Sequence, residues 1–447
     1  MTSNEVRYLA CLAILASPLA LRSQSWADFT NCISSSGTGA TCSLPAGQWP
    51  VSTTLLVQRS GITITGDSIS HTTLYRASSS LGVMMMPASG VGNVTIAWLR
   101  FDGRRYDFGS ARNCLLANLD WAELDWRARS GDIPTNGVLY GSVGTVTVHD
   151  IEVINAPADG VFLDGSSSTI SYSFFGTDHT QTKANSAWAT RGTGLQLFGG
   201  SAGSYYSHIY YSGTAAVAVH GSNEYVYGNE FYSNRYEGSD GYPAGGQLYL
   251  ESPYYTHPAY ATAVAANTID GANWSVPNNS MVNGCPTSNP LNVGTGGMEI
   301  YGYYQYIYDN EVKNHTGAGI GMGGDPTGPV FITTYNPWNT GDIKRAIHDN
   351  QYIGIQILGS PNLVQGLTLE EIYSYHNAYV NGDGRDVDYN YYTSGLGFSP
   401  NRNGGQSPGG MHHICGIIRW SGPVSPPPPN ITYPGTYNGQ PTNNTCP

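Results

Sequence analysis

Ionisable side chains are scarce in this 447-residue chain, which holds 31 Asp and Glu, 19 Lys and Arg and 11 His, so their positions carry information. Four of them fall at outward slots of short runs of alternating apolar residues: Val161-Phe-Leu-Asp164, Val217-Ala-Val-His220, Leu248-Tyr-Leu-Glu251 and Met298-Glu299-Ile300. Alternation with a period of two is that of a strand, and it turns these four side chains to the face opposite the apolar ones. Parallel strands lie about 4.8 Å apart, and same-face neighbours along one strand about 6.6 Å apart, which puts the Cα atoms of Glu251 and Glu299 about 8 Å apart. Their carboxyls can then stand from about 5 to 9 Å apart, the span of acid/base pairs that cleave glycosidic bonds. The closely flanked carboxyl of such a pair keeps its proton because its neighbour carries like charge. His220 follows in the same column as Glu251 and can tune it or bind substrate. Asp164 can assist or line one end of the site.

The elements that must position these residues announce themselves as a repeat: a glycine or small residue, apolar, any, apolar, any, then usually Gly or Ser. Strong copies begin at Gly160, Gly194, Ala216, Gln247, Gly297, Gly319 and Gly354, and weaker ones at Gly82, Gly137 and Asn377. The base interval is 22–23 residues, and the longer intervals contain insertions. Such a period predicts a β solenoid whose stacked coils share one core. The apolar slots, such as Val161 and Leu163 or Ile355 and Ile357, face inward. The outward slots then form two columns: Phe162, Gln196, Ala218, Tyr249, Glu299, Gly321, Gln356, and Asp164, Phe198, His220, Glu251, Tyr301, Gly323, Leu358. A second strand precedes each copy, as at Val146–Val148, Tyr225–Tyr227 and Tyr306–Tyr308. Asp150, Asn229, Asn310 and Asn350 just beyond such strands predict one stacked ladder of turn side chains.

Coil period, paired strands and Asn turns over residues 50–395 resemble the right-handed parallel β-helix, or pectate-lyase-like, superfamily. The stretch Thr41–Val51 with Gly61–Gly66 is similar to the segment that caps such helices. The resemblance implies an all-β solenoid of about ten coils with long loops flanking one face. It is compatible with polysaccharide lyases, glycoside hydrolases, esterases, epimerases, tailspikes and adhesins, and some members associate side by side, so it leaves both reaction and oligomeric state open.

Insertions 103–136, 176–193, 234–245 and 271–296 emerge before the repeat strand, and 253–262 and 325–342 after it. They predict two walls beside the outward columns, hence a groove. Within it Gln196, Tyr249, Tyr301, Gln356, Phe198, Trp188 and Arg235 are the expected sugar-binding residues, aromatic faces being suited to sugar C–H faces. A lyase would need a cation for the uronate carboxylate. The floor columns between Phe162 and Leu358 offer no Lys or Arg, and the candidates stand on the walls at Lys183, Arg191, Arg235 and Arg345. No cofactor is required for hydrolysis; Ca2+ on Asp164, Glu251 or Glu299 would serve the lyase alternative. A non-catalytic glycan-binding or adhesive β-helix is the second alternative. Asp120–Arg129 is expected as a short amphipathic helix on a wall. Asn381–Asp388 reads as a turn rather than a calcium loop, and His412-His413 as a surface pair.

The net charge of −12 and the absence of a basic stripe exclude a nucleic-acid partner. Only Lys183, Lys313 and Lys344 are lysines. No membrane span is expected. The run Tyr8–Leu21 behind Arg7 reads as a secretory signal within residues 1–25, followed by a cap (26–60), the β-helix (61–395) and a tail with Pro426–Pro429 (396–447). Export fits six remaining cysteines, for which Cys32–Cys42 and Cys415–Cys446 are the expected local disulfides and Cys114–Cys285 the remainder. Sequons stand at Asn93, Asn273, Asn278, Asn314, Asn430 and Asn443.

Overall fold

The computed structural model describes residues 25–108, 122–127, 143–164, 167–180, 188–232 (apart from 199), 234, 246–250, 259, 261–271, 296–301, 304–322, 330–334 and 345–350, with short strands elsewhere as far as Gln440–Pro441. The chain is a right-handed parallel β-helix. Among the described residues eleven coils each give one strand to each of three parallel sheets, and two further strands, His412–Cys415 and Ile431–Thr432, extend the first, so the sheets hold 13, 11 and 11 strands. In chain order one coil runs Val146–His149 in the first sheet, Glu152–Ile154 in the second and Asp159–Asp164 in the third. The next runs Thr169–Ser171, Phe174–Phe175 and Leu195–Phe198.

The third sheet is the repeat predicted from sequence. Val161, Leu195, Val217, Leu248, Met298, Ile320 and Ile355 stand in one register row. All seven are at most 2% exposed and form part of one continuous core. The second sheet was not expected. Its strands, such as His208–Tyr210, Glu230–Tyr232 and Thr268–Asp270, carry one inward residue each (Ile209, Phe231, Ile269), too short a run to display alternation.

Two segments depart from expectation. Within the span expected as a helix, Ala122–Trp126 is a third-sheet strand, with Leu124 opposite Val161 and Trp126 opposite Leu163. It takes the place assigned to the weak copy at Gly137, which lies outside the described residues. Leu124 and Trp126 alternate inward at the strand period, and burying both outweighs the propensity of so short a helix. Likewise Arg385–Asn390 is the strand that follows Ile353–Leu358, in place of the copy at Asn377, and it takes up the second half of the candidate calcium loop.

The N-terminal end is closed by the helix Trp26–Ser35. Ser25 and Asp28 form a reciprocal capping box, and Phe29 and Ile33, four apart, face the core. Cys32–Cys42 ties the helix to the first coil across a Cα–Cα distance of 5.6 Å. That coil begins at Thr41, which pairs with Thr63, so the solenoid starts ahead of residue 61. The other cysteine pairs, the signal segment and the Pro-rich stretch lie outside the described residues. No helix among the described residues is long and apolar enough to cross a membrane.

The single predicted turn ladder is two ladders. At the corner from first to second sheet, Ser207 N donates to Asn229 Oδ1 (3.0 Å), Asn229 N to Asn267 Oδ1 (2.9 Å) and Asn267 N to Asn310 Oδ1 (3.0 Å). Asn350 belongs to the corner from second to third sheet, where Asn234, Gln247, His315 and Asn350 bond in series. Asp150 is no rung: it takes the left-handed turn position (φ 51°) and bonds His149.

Candidate functional site on the third sheet

The outward columns stand in the expected register, and the structure adds a coil at their head. Phe162, Gln196, Ala218, Tyr249 and Glu299 follow one another strand by strand, with Asp125 opposite Phe162. Phe198 lies opposite Asp164, and His220 opposite Phe198. The columns differ in exposure. Asp125, Phe162, Gln196 and Ala218 are buried although they face away from the core, whereas Asp164, Phe198, His220, Tyr249 and Tyr301 are half-buried. The head of the first column, from Asp125 to Ala218, is therefore covered, and the face opens along the second column and at Tyr249.

Glu299 sits at the middle of this face and is only 7% exposed. The Tyr301 phenol donates to its Oε1. Tyr249 occupies the preceding rung, its ring centre 5.7 Å from that of Tyr301. Two tyrosines thus flank a nearly buried carboxyl, an arrangement that can hold a sugar ring against an acid. Glu251 and Arg235 lie outside the described residues. Gln356 takes its expected place in the first column, opposite Gly321.

The head of the face is ionic. Arg127 Nε bonds Asp125 Oδ1 at 3.1 Å, and its guanidinium lies over Phe162, 3.5 Å from the ring centre, and 5.9 Å from that of Phe198. Phe198 and His220 rings follow with centres 5.2 Å apart. Arg127 stands on the coil ahead of Phe162, outside the span in which the floor columns hold no Lys or Arg; it is 8% exposed and bonded to Asp125. Gln196, expected to meet sugar, is 3% exposed and donates to Asp159 Oδ2 at 2.9 Å, because Asp159 at the start of its strand reaches across one coil.

The structure does not bring Trp188 to this face. Its ring lies 5.9 Å from the Arg100 guanidinium on the second sheet, and its carbonyl accepts from Asn155 N. His179 of the same insertion bonds Glu152 there (2.8 Å), so both His179 and Trp188 lie against the second sheet rather than beside the third. Of the wall cations, Arg191 is buried, Arg345 bonds Thr268 on the second sheet, and Lys183 lies outside the described residues.

The second sheet holds ionisable groups that sequence reasoning missed. His208 Nδ1 and the Tyr210 phenol both bond Glu230, at 3.1 and 2.6 Å, and chiefly the His208 bond holds this carboxyl below its ordinary range. Hydrogen bonds from His348 and Lys313 bring Glu311 down to about 2. These acids are engaged along the stack, as cross-strand pairs in sheets are. No group of three or more His, Cys, Asp or Glu among the described residues is placed to hold a metal.

No protein-family model and no curated protein matches the chain. Among solved structures, it is similar to a tailspike protein 2 from an Escherichia coli O157:H7 bacteriophage (10% identity, 92% of this chain and 44% of that one, TM-score 0.47). It is also similar to the A-module of Azotobacter vinelandii mannuronan C-5 epimerase AlgE6 (14% identity, 88% and 89%, TM-score 0.46). A third is the catalytic unit of a GH87 alpha-1,3-glucanase from Streptomyces thermodiastaticus (11% identity, 94% and 66%, TM-score 0.44). The chain thus spans less than two thirds of the tailspike and of the glucanase unit. These likenesses concern the fold and do not bear on the reaction.

Proposed function

We propose that the protein is an exported glycoside hydrolase that binds a polysaccharide along the third sheet and cleaves it with a carboxyl pair, Glu299 and Glu251. The observation that carries this reading is Glu299 itself: a nearly buried carboxyl, bonded by the Tyr301 phenol and flanked by Tyr249, midway along the face. Burial and a like-charged partner keep one member protonated as the acid, while the other serves as base or nucleophile. His220 and Asp164 border the open second column as assisting groups. Phe198, Tyr249, Tyr301 and Gln356 are the proposed sugar contacts on that face, joined by Arg235. The Cys32–Cys42 disulfide supports export to an oxidising compartment. The reaction needs no metal under this reading. Arg127, the one cation described at the head of the face, is neutralised by Asp125, which weighs against a role in binding a uronate carboxylate.

The test is a panel of neutral and uronic-acid polysaccharides, assayed with Ca2+ and with chelator for new reducing ends and for the ultraviolet absorbance of unsaturated sugars. Hydrolysis predicts reducing ends without absorbance, abolished in Glu299→Gln and Glu251→Gln while polysaccharide binding persists. Absorbance lost on chelation would replace this reading with a lyase. Binding without turnover would replace it with a glycan-binding β-helix.

A further inference from the structure

Inside the solenoid, at the corner where the third sheet turns into the first, one inward column changes character. It reads Val94, Val146, Ser168, Ala202, Glu224, Thr262, Gln305, Val330, from the register of the first-sheet strands, and all eight side chains are buried. Ser168 is satisfied: its hydroxyl donates to the Asp164 carbonyl (3.0 Å) and accepts from Val146 N (3.1 Å). The three polar residues above Ala202 are not. Glu224, Thr262 and Gln305 are each 0% exposed, and Glu224 Oε1 and Oε2, Thr262 Oγ1 and Gln305 Oε1 have no hydrogen-bond partner on any other residue. The Gln305 amide nitrogen donates to the Ala259 carbonyl (3.0 Å), so only its oxygen is left for the column.

An unpaired buried carboxyl costs several kcal/mol by order of magnitude, whichever protonation state it takes. Burial, opposed by a hydrogen bond from its own backbone N–H and reinforced by the negative charge of Asp164, pushes Glu224 up to about 8. Four oxygens on three successive rungs call for an occupant that every one of them can ligate. The side-chain lengths suit a single point: adjacent rungs lie about 4.8 Å apart, and the long Glu224 and Gln305 can converge on the level of the short Thr262 between them.

We propose that Glu224, Thr262 and Gln305 hold a hard divalent cation of the calcium class within this corner. The donors are all oxygens, as such a cation requires. They supply up to four of its six to eight ligands, with backbone carbonyls and water to supply the rest. Glu224 provides one negative charge. This site is separate from the outer face of the third sheet and does not depend on the reaction proposed for it.

The experiment uses the full chain, stripped with chelator and dialysed against Ca2+, reading bound metal by atomic emission and thermal unfolding with and without Ca2+. Wild type should retain one Ca2+ more than Glu224→Gln, and its Tm should rise with Ca2+ by an increment that the variant loses. Glu299→Gln, on the outer face, should keep the wild-type response. Thr262→Val, similar in shape, should require about tenfold more Ca2+ or more for half the effect; it also decides the matter if Glu224→Gln fails to fold. Equal metal retention and equal Tm shifts in wild type, Glu224→Gln and Thr262→Val would overturn the site. Full stabilisation by K+ alone would overturn its assignment to a divalent ion.

Discussion

Glu299 and His315 represent the two uses this protein makes of a buried ionisable group. Glu299 lies under an open column with a phenol on one oxygen, so its substitution should act on turnover. Glu299→Gln keeps the shape and should lower kcat by at least about a hundredfold, the lower end of what general acid–base catalysis contributes. His315 has no path to solvent. Its Nε2 meets the Gln247 amide at 2.8 Å and its Nδ1 the Asn350 oxygen at 2.8 Å. Burial pushes it down to about 4. The folded state therefore refuses a proton that the unfolded chain accepts at about 6.5, and stability falls as pH drops from about 6.5 to about 4, by on the order of 3 kcal/mol. Thermal unfolding followed against pH should show this acid limb, and a His315→Gln variant that folds should flatten it. A third residue-scale case is the Arg76–Glu123 pair, 2% and 1% exposed, with Nη2 2.8 Å from Oε1. Removing one partner strands the other, so Glu123→Ala should cost about 3–5 kcal/mol in denaturant unfolding.

At the scale of the element, the corners matter more than the strands. A three-residue strand such as Thr268–Asp270 buries one side chain inward and cannot stand alone; the amide ladder fixes where each coil turns. Asn267 accepts from Asn229 N and donates to the Val226 carbonyl at 2.9 Å. Asn267→Leu leaves both groups buried and unmet, which should destabilise by at least about 2 kcal/mol. Hydrogen exchange should show the loss concentrated in the coils on either side of residue 267. A uniform loss along the stack would show that the ladder does not act locally. Asn229 and Asn310 were legible as ladder members because each follows a clear strand. Asn267 was not, because Ala263-Val-Ala265 ahead of it is a weak strand signal, and serine rungs such as Ser207 carry no distinctive signal at all. Ala122–Trp126 was misread for a related reason. Glu123 and Asp125 sit on the face that solvent usually takes, yet both are buried by Arg76 and Arg127, partners that no local pattern indicates.

For the whole molecule, a stack of coils transmits stability mainly to nearest neighbours. The Cys32–Cys42 bridge closes a separation of 10 residues and should contribute about 3 kcal/mol by the chain-entropy relation. Its loss in a Cys32→Ala/Cys42→Ala variant should raise exchange in the terminal coils, residues 41–65, and leave strands such as Val217–His220 unchanged. The sequence by itself determined the repeat, its inward pairs and the two outward columns of the third sheet, because period-two alternation is a local property that every coil restates. It also determined which residue types those columns hold, including Glu299 between two tyrosines. Only the tertiary structure decided that the head of the first column is covered and the second column open, that His179 and Trp188 lie against the second sheet, and that Gln196 is bound by Asp159. Only it decided that Glu224, Thr262 and Gln305 share one interior corner. Burial, loop direction and partnership across coils join residues 22 or more positions apart, and the spacing along the chain does not encode which of them meet.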